Sequence, residues 1–427
     1  MASFSQLPNE MLENVFQYLD FKNRKMLSPV CTRWNDILMS ERYLKKHVIL
    51  QIEGCRLLDA KKPLRRDYRA LSIKLDNTNS NEMIKNLRLI HSICANPRYL
   101  RVENWSSDQR FGWLFEELFF NLEHVEQLQL MGTCKTEKGS INLQLEKLRV
   151  LKLEAAHLEY FSITAPNLTE LSLHIRTEDD MDLLPHFAAQ LIHLTVVFVS
   201  KDIYYFYRLK FPKLKEMAVH RCLKGMTRSE QNISIVFFKR LTQLNKLHLA
   251  VKFIDSYVLQ RISESLSSTV DLSLVVSEGT IELSNISKLV SLEKLTISAE
   301  KVNLSGIKFF KLRELRLGSQ NYNNGTYVYG LENLMSFHNL RVMALHNVKF
   351  YPEILKLTPS YNVETMIITH YKRLEENHLQ ILVRKFSAVV WLKIASCPGF
   401  TIREVEKLKR LIPKLCVAFD EVALGRL

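Results

Sequence analysis

The side chains able to do chemistry in this chain are spaced for binding and not for catalysis. Seven cysteines, an odd number with no Cys-x-x-Cys or Cys/His zinc spacing, read as free thiols of a reducing compartment. There are only 12 glycines, and no phosphate-cradling glycine loop, no His-Glu-x-x-His and no Gly-x-Ser-x-Gly. Several histidines, among them His174, His220, His248 and His346, fall at outward-facing strand positions, where the residue type is common without serving as a metal ligand or pH switch. The expectation is a protein with no catalytic residues, no metal and no cofactor.

Charge is the stronger signal. The formal net charge is +14 over 427 residues, and 9 of those units lie within residues 201–252, where 12 Lys/Arg meet 3 Asp/Glu. A basic stretch of this kind suits an acidic partner: nucleic acid, an acidic protein segment or a phosphorylated one. Candidate contacts for an acidic or phosphorylated protein substrate are Arg208, Lys210, Lys213, Lys215, Arg221, Lys224, Lys246 and His248, with Tyr204, Tyr205, Phe206 and Tyr207 beside them. The competing reading is a solvated basic rim with the aromatics in the core. A second candidate is Asn321 to Tyr329, where Asn324-Gly325 signals a tight turn and a surface hairpin from which tyrosines would project. Lys61 to Arg66 reads equally as a nuclear address or a charged linker. Neither a signal peptide nor a membrane span is supported, so the expected location is cytoplasm or nucleus.

The elements that position these residues follow from a repeat. The pattern apolar-x-x-Leu-x-Leu recurs at Leu148–Leu153, Leu168–Leu173, Leu244–Leu249, Leu292–Ile297, Leu312–Leu317 and Leu340–Leu345. With weaker copies it places strands centred on 50, 71, 100, 128, 151, 171, 194, 217, 247, 272, 295, 315, 343, 366, 392 and 415, at intervals averaging about 24 residues, the leucine-rich-repeat range. Leucines of each strand point inward and the residues between them line a shared outer face, including Lys152, Thr195, Glu216, Lys294, Arg316, Trp391 and Lys393. One unit cannot bury its own apolar side; stacking into a parallel sheet does. Helical spacing at Val258, Ile262 and Leu266, at Leu379, Leu382, Val383 and Phe386, and at Val405, Leu408, Leu411 and Ile412 predicts a second layer. Cys55, Cys222 and Cys397 follow their strands at one fixed offset, and Trp391 to Thr401 resembles the cysteine-containing leucine-rich repeat, where a small residue suits the turn.

Residues 3–45 lack the repeat. Pro8 suits a first helical position, Glu10 favours the positive helix start, and Leu12, Val15, Phe16 and Leu19 form a stripe. Asp20 can cap a second helix that Pro29 interrupts, and a third restarts over Val30 to Leu38. The series Leu7-Pro8-Asn-Glu-Met-Leu12, Val15-Phe16-Gln-Tyr-Leu19 and Val30-Cys31-Thr-Arg-Trp34 resembles an F-box. The chain as a whole is thus similar to the F-box and leucine-rich-repeat family: an α/β leucine-rich-repeat solenoid, a curved parallel sheet with convex helices over 46–427 in about 16 repeats, preceded by a small three-helix F-box. The resemblance implies a substrate-recognition subunit of a Skp-cullin-F-box ubiquitin ligase. In such a subunit Leu7, Pro8, Leu12, Phe16, Leu19, Val30, Cys31 and Trp34 would bind the Skp adaptor, and through it a cullin-RING ligase, while the solenoid holds the substrate. A module of about 40 residues seldom buries enough surface to stand alone, which independently favours a partner. The alternative from another class is a non-degradative basic scaffold that binds nucleic acid or an acidic protein.

Overall fold

The computed structural model describes residues 7–40, 43, 48–53, 68–75, 94, 96–104, 123–133, 141–156, 158, 161–199, 205–222, 228–306, 308–318, 325–349, 359, 362–371, 376–397, 401–411 and 414–420. The chain divides into two compact units, 1–187 and 188–427. Cys55, Lys61 to Arg66, Tyr204, Lys224 and Ile412 lie outside the described residues, as do the side chains of Arg221 and Cys222.

In the first unit, helices α1 (Asn9–Phe16), α2 (Phe21–Leu27) and α3 (Thr32–Leu38) precede β1 (Ile49–Glu53), β2 (Ala70–Leu75), β3 (Tyr99–Asn104), β4 (Gln127–Thr133), β5 (Ile141–Gln144), β6 (Val150–Ala156), β7 (Phe161–Thr164) and β8 (Glu170–Ile175). Strands β1, β2, β3, β4, β6 and β8 pair in that order, all parallel, and β5 pairs with β7 in a separate two-stranded sheet. The register sets Leu50, Leu71, Leu100, Leu128, Leu151 and Leu171 side by side, the six centres expected from the repeat. Leu151 and Leu153 are fully buried while Lys152 between them is half-exposed, as the two-residue alternation requires. Each leucine so buried stabilises the stack by roughly 1.5–3 kcal/mol.

The second unit holds β9 (His193–Phe198), β10 (Glu216–Cys222), β11 (Lys246–Val251), β12 (Asp271–Val276), β13 (Thr280–Glu282), β14 (Lys294–Ser298), β15 (Lys301–Asn303), β16 (Glu314–Gly318), β17 (Thr326–Tyr329), β18 (Val342–His346), β19 (Val348–Lys349), β20 (Thr365–Thr369), β21 (Trp391–Ala395) and β22 (Cys416–Asp420). A parallel sheet runs β9-β10-β11-β12-β14-β16-β18-β20-β21-β22. Its central row is Leu194, Met217, Leu247, Leu272, Leu295, Leu315, Met343, Met366 and Leu392, again as expected. The last strand departs: Leu392 pairs with Val417, not Leu415, which is buried in the turn before β22. The offset is two residues, so the same parity still faces inward.

The expected helices are present at Ser256–Ser265, Glu376–Lys385 and Ile402–Leu411, with Val258, Ile262, Leu379, Leu382, Val383, Val405 and Leu408 buried. Asp255 caps the first of these by accepting from the Tyr257 amide at 2.7 Å. Between β12 and β20 the second layer contains strands where helices were expected. Strands β13, β15, β17 and β19 form a four-stranded parallel sheet, because Ile281, Val302 and Val328 are apolar within alternating stretches of period two and turn inward. Thr326 to Tyr329 is therefore a strand of that sheet, while Asn321 to Asn324, the rest of the expected hairpin, lie outside the described residues. Tyr327 and Tyr329 are each 41% exposed, and the Lys349 ammonium sits 4.6 Å from the Tyr327 ring centroid. The Cys397 thiol is buried, lies 3.4 Å from the Ala395 carbonyl, and is pushed above its ordinary pKa by that burial.

Candidate functional site

The three N-terminal helices enclose a core of Leu12, Phe16, Ile37 and Leu38, against which Leu7, Leu19, Leu27, Trp34 and Met39 pack. Trp34 meets Phe16 edge-on with ring centroids 5.1 Å apart. Pro8, at φ −56°, opens α1, and Glu10 lies in its first turn. Asp20 caps α2 by accepting from the Asn23 amide at 2.7 Å. Pro29 ends that helix in a single 3-10 turn, Ser28–Val30, and the Cys31 sulfur accepts from the Trp34 amide at 3.4 Å as α3 begins.

Two arginines fasten the helices together. Arg24 on α2 is 4% exposed and donates to the main-chain carbonyls of Phe16, Leu19 and Leu38, at the C-terminal ends of α1 and α3. The Phe16 carbonyl also accepts from the Leu19 amide at 3.0 Å, and a cation at these helix ends complements the helix dipoles. The Tyr43 ring covers the guanidinium at 3.5 Å. Arg33 on α3 donates to the Asn9 side chain at 2.9 Å and to the Leu7 carbonyl, which fixes the start of α1. The sequence reading missed both, because a lone arginine in a helix carries no spacing signal.

The residues carried over from the F-box pattern divide by burial. Leu12 and Phe16, expected to contact the adaptor, are 0% and 2% exposed and build the core of the module. Leu7, Leu19 and Trp34 are half-buried, and Pro8, Val30 and Cys31 are exposed. The module also exposes Met11 and Val15 on α1, Tyr18 in the turn after it and Met26 on α2, with Tyr18 at 84%. Met11 and Val15 stand at i and i+4, one face of α1, and that spacing was the signal available in the sequence.

The basic stretch also divides. Arg208, Lys210, Lys213 and Lys215 are exposed on one segment leading into β10, held by Phe206, Phe211 and Leu214 in the core. The aromatic part of the rim reading is correct for Phe206 and Tyr207, which are 0% and 4% exposed and pack on Phe237, whereas Tyr205 is exposed. The Lys246 ammonium pairs with Glu216 at 2.7 Å, and Glu216 also meets His193 at 3.2 Å. Burial works against the Glu216 carboxylate, but the hydrogen bond and charge of Lys246, and then His193, outweigh it and hold its pKa below the ordinary range. The register continues this row as Glu216, Lys246, Asp271, Lys294 and Glu314, a ladder of alternating sign along the sheet. His248 is half-buried, stacked on His220 with centroids 4.6 Å apart, and its Nδ1 is 2.8 Å from the Ser273 hydroxyl. Burial, and then the His220 charge, lower its pKa, which keeps it neutral at pH 7.

Comparison with known proteins accords with this geometry. Residues 4–46 match the F-box domain, so the three-helix module is an F-box. No curated protein matches the chain. Among solved structures it is similar to one in the crystal structure of the Rad7 and Elc1 complex in yeast, at 12% identity and a TM-score of 0.42 over 98% of this chain and 93% of that one. The leucine-rich-repeat-containing protein LegL7 from Legionella pneumophila is matched at 11% identity and a TM-score of 0.33, over 87% of this chain and 99% of that one. A structure of a TLR13-ssRNA13 complex is matched at 12% identity and a TM-score of 0.42, over 88% of this chain but only 51% of that one, about half its length.

Proposed function

We propose that this protein is the substrate-recognition subunit of a Skp-cullin-F-box ubiquitin ligase, with the F-box docked on a Skp adaptor and the repeats holding the protein to be ubiquitinated. One observation carries the reading. A module whose buried core is four residues leaves Met11, Val15, Tyr18, Met26 and Val30 in solvent, at 46–84% exposure. Apolar surface on so small a fold marks an interface. The F-box match over residues 4–46 supports a Skp-type adaptor as the partner.

The function is one of proximity. The subunit makes and breaks no bond itself; tethering raises the local concentration of substrate lysines near a ubiquitin-charged enzyme that the cullin scaffold recruits. The test is co-expression of the full chain with the Skp adaptor, beside Pro8→Ala/Val30→Asp, which alters only exposed positions. Co-purification of the native chain with loss in the variant supports the reading. Failure of the folded native chain to hold the adaptor overturns it.

A further inference from the structure

Repeats of the second unit enter their strands through one kind of tight turn, in which the amide of the fourth residue donates to the carbonyl of the first. Residues 241–244, 266–269, 289–292, 309–312, 337–340 and 386–389 close in this way at 3.0–3.4 Å. The first and fourth residues are buried and the second is the exposed tip, which is polar at Thr242, Ser267, His338 and Ser387. Val290 and Phe310 depart from that pattern: they are apolar tips at 65% and 63% exposure. Their turns lead into β14 and β16, which pair directly, so the two tips stand on neighbouring turns at one edge of the sheet.

The tips are held outward. Leu289, Leu292, Phe309 and Leu312, which flank them, are 2% exposed or less, so neither tip can enter the core without displacing a buried neighbour. Lys288 and Lys308 occupy the same place in the two turns, two residues before each tip, and Lys311 follows Phe310; all three are exposed. Among the described residues none of the three pairs with a carboxylate. Glu293, which follows the first turn, is engaged by Arg313 at 3.9 Å. Apolar tips are unfavourable in water and gathered ammonium groups repel one another. A layer that is negatively charged at its surface and apolar beneath relieves both.

We propose that this edge, formed by Lys288, Val290, Lys308, Phe310 and Lys311, docks on an anionic lipid surface. The two tips enter the boundary between headgroups and acyl chains, and the ammonium groups meet the lipid phosphates. Two apolar side chains alone hold a membrane weakly, so the lysines are required as well and the attachment is salt-sensitive. A polypeptide would be held through a groove or a free strand edge. These turns instead satisfy backbone groups internally: the Val290 amide donates to the Lys288 carbonyl at 2.9 Å, and the Phe310 carbonyl accepts from the Asn339 side chain. Docking of this edge does not depend on the adaptor reading.

The test is co-sedimentation of the full chain with vesicles of equal parts phosphatidylcholine and phosphatidylserine, beside vesicles of phosphatidylcholine alone. Val290→Ser/Phe310→Ser gives both tips the residue that Ser267 and Ser387 carry in the same turn and leaves the charge unchanged. Lys288→Ala/Lys308→Ala/Lys311→Ala removes the local charge, and Lys210→Ala/Lys213→Ala/Lys215→Ala removes as much from exposed positions elsewhere in the unit. The expected result is sedimentation with the anionic vesicles only, weakened about tenfold in each of the first two variants and less than about twofold in the third. Undiminished sedimentation of Val290→Ser/Phe310→Ser, equal losses in the two lysine variants, or equal binding to both kinds of vesicle overturns the proposal. Labelled poly-glutamate is offered to the same samples. Its binding, if lost in Val290→Ser/Phe310→Ser while the native chain ignores the vesicles, makes an acidic polypeptide the occupant and overturns the proposal as well.

Discussion

The guanidinium of Arg24 donates to the main-chain carbonyl of Leu38 at 3.1 Å, fourteen residues further along the chain, and so closes the end of α3 onto α2. Two more carbonyls, those of Phe16 and Leu19, accept from the same side chain. Replacing Arg24 by Ala leaves three acceptors without their donor, at a cost of about 3 kcal/mol to the F-box. Arg24→Lys does not restore it, because an ammonium lacks the planar fork that spans carbonyls on two helices. Amide hydrogen exchange over residues 9–38 should accelerate in both variants, while exchange in β10 to β12 stays unchanged.

Lowering the pH should loosen the second unit. Burial, and then the neighbouring histidine, lower the pKa values of His248 and His346 below the ordinary value of 6.5. The unfolded chain therefore binds protons at a pH where the folded one does not. Stability is complete above about 6.5 and falls as the pH drops through that value. Urea midpoints at pH 7.5, 6.5 and 5.5 should decline in that order, and His248→Asn/His346→Asn should flatten the decline.

Glu216 sits between the Lys246 ammonium and the His193 ring, and its removal tests the ladder. Glu216→Ala leaves Lys246 and His193 facing each other across the sheet. The expected loss is about 0.5–1 kcal/mol at low salt, since the pair is exposed. Screening at 0.5 M salt should erase most of it. A loss that does not depend on salt would point to packing instead.

Thiol reactivity should follow burial. Cys94 and Cys397 are 2% and 4% exposed, and Cys31 and Cys416 are exposed. In native protein a maleimide should label Cys31 and Cys416 while Cys94 and Cys397 resist until the chain unfolds.

The main sheet was legible in the sequence because strand period and inward leucines are the same signal, repeated. The register from Leu194 to Leu392 follows from it without further information. The slip at β22 was not legible: Leu415 and Val417 have the same parity, and only the preceding turn decides between them. The second sheet of β13, β15, β17 and β19 escaped notice because two to four alternating residues per strand fall below any periodicity test. In the F-box, the pattern identified the module but not the role of each member. Leu12 and Phe16 lie on the buried stripe of α1, and Met11 and Val15 on a second stripe that sequence alone cannot call wet or dry. For the basic stretch, composition counted Lys246 with the rest, and only the register against Glu216 showed it to be neutralised.

Docking of the F-box on a Skp adaptor is tested most directly at Cys31, an exposed thiol at the start of α3 beside Val30. The labelling rate of Cys31 is measured by peptide mapping with and without saturating adaptor, with Cys416 as the internal reference. Docking at this surface requires Cys31 to slow about tenfold or more, as burial under a partner excludes the reagent, while Cys416 keeps its rate. Equal rates for Cys31 with and without adaptor would contradict the docking surface and, with it, the proposed place of this protein in a ubiquitin ligase.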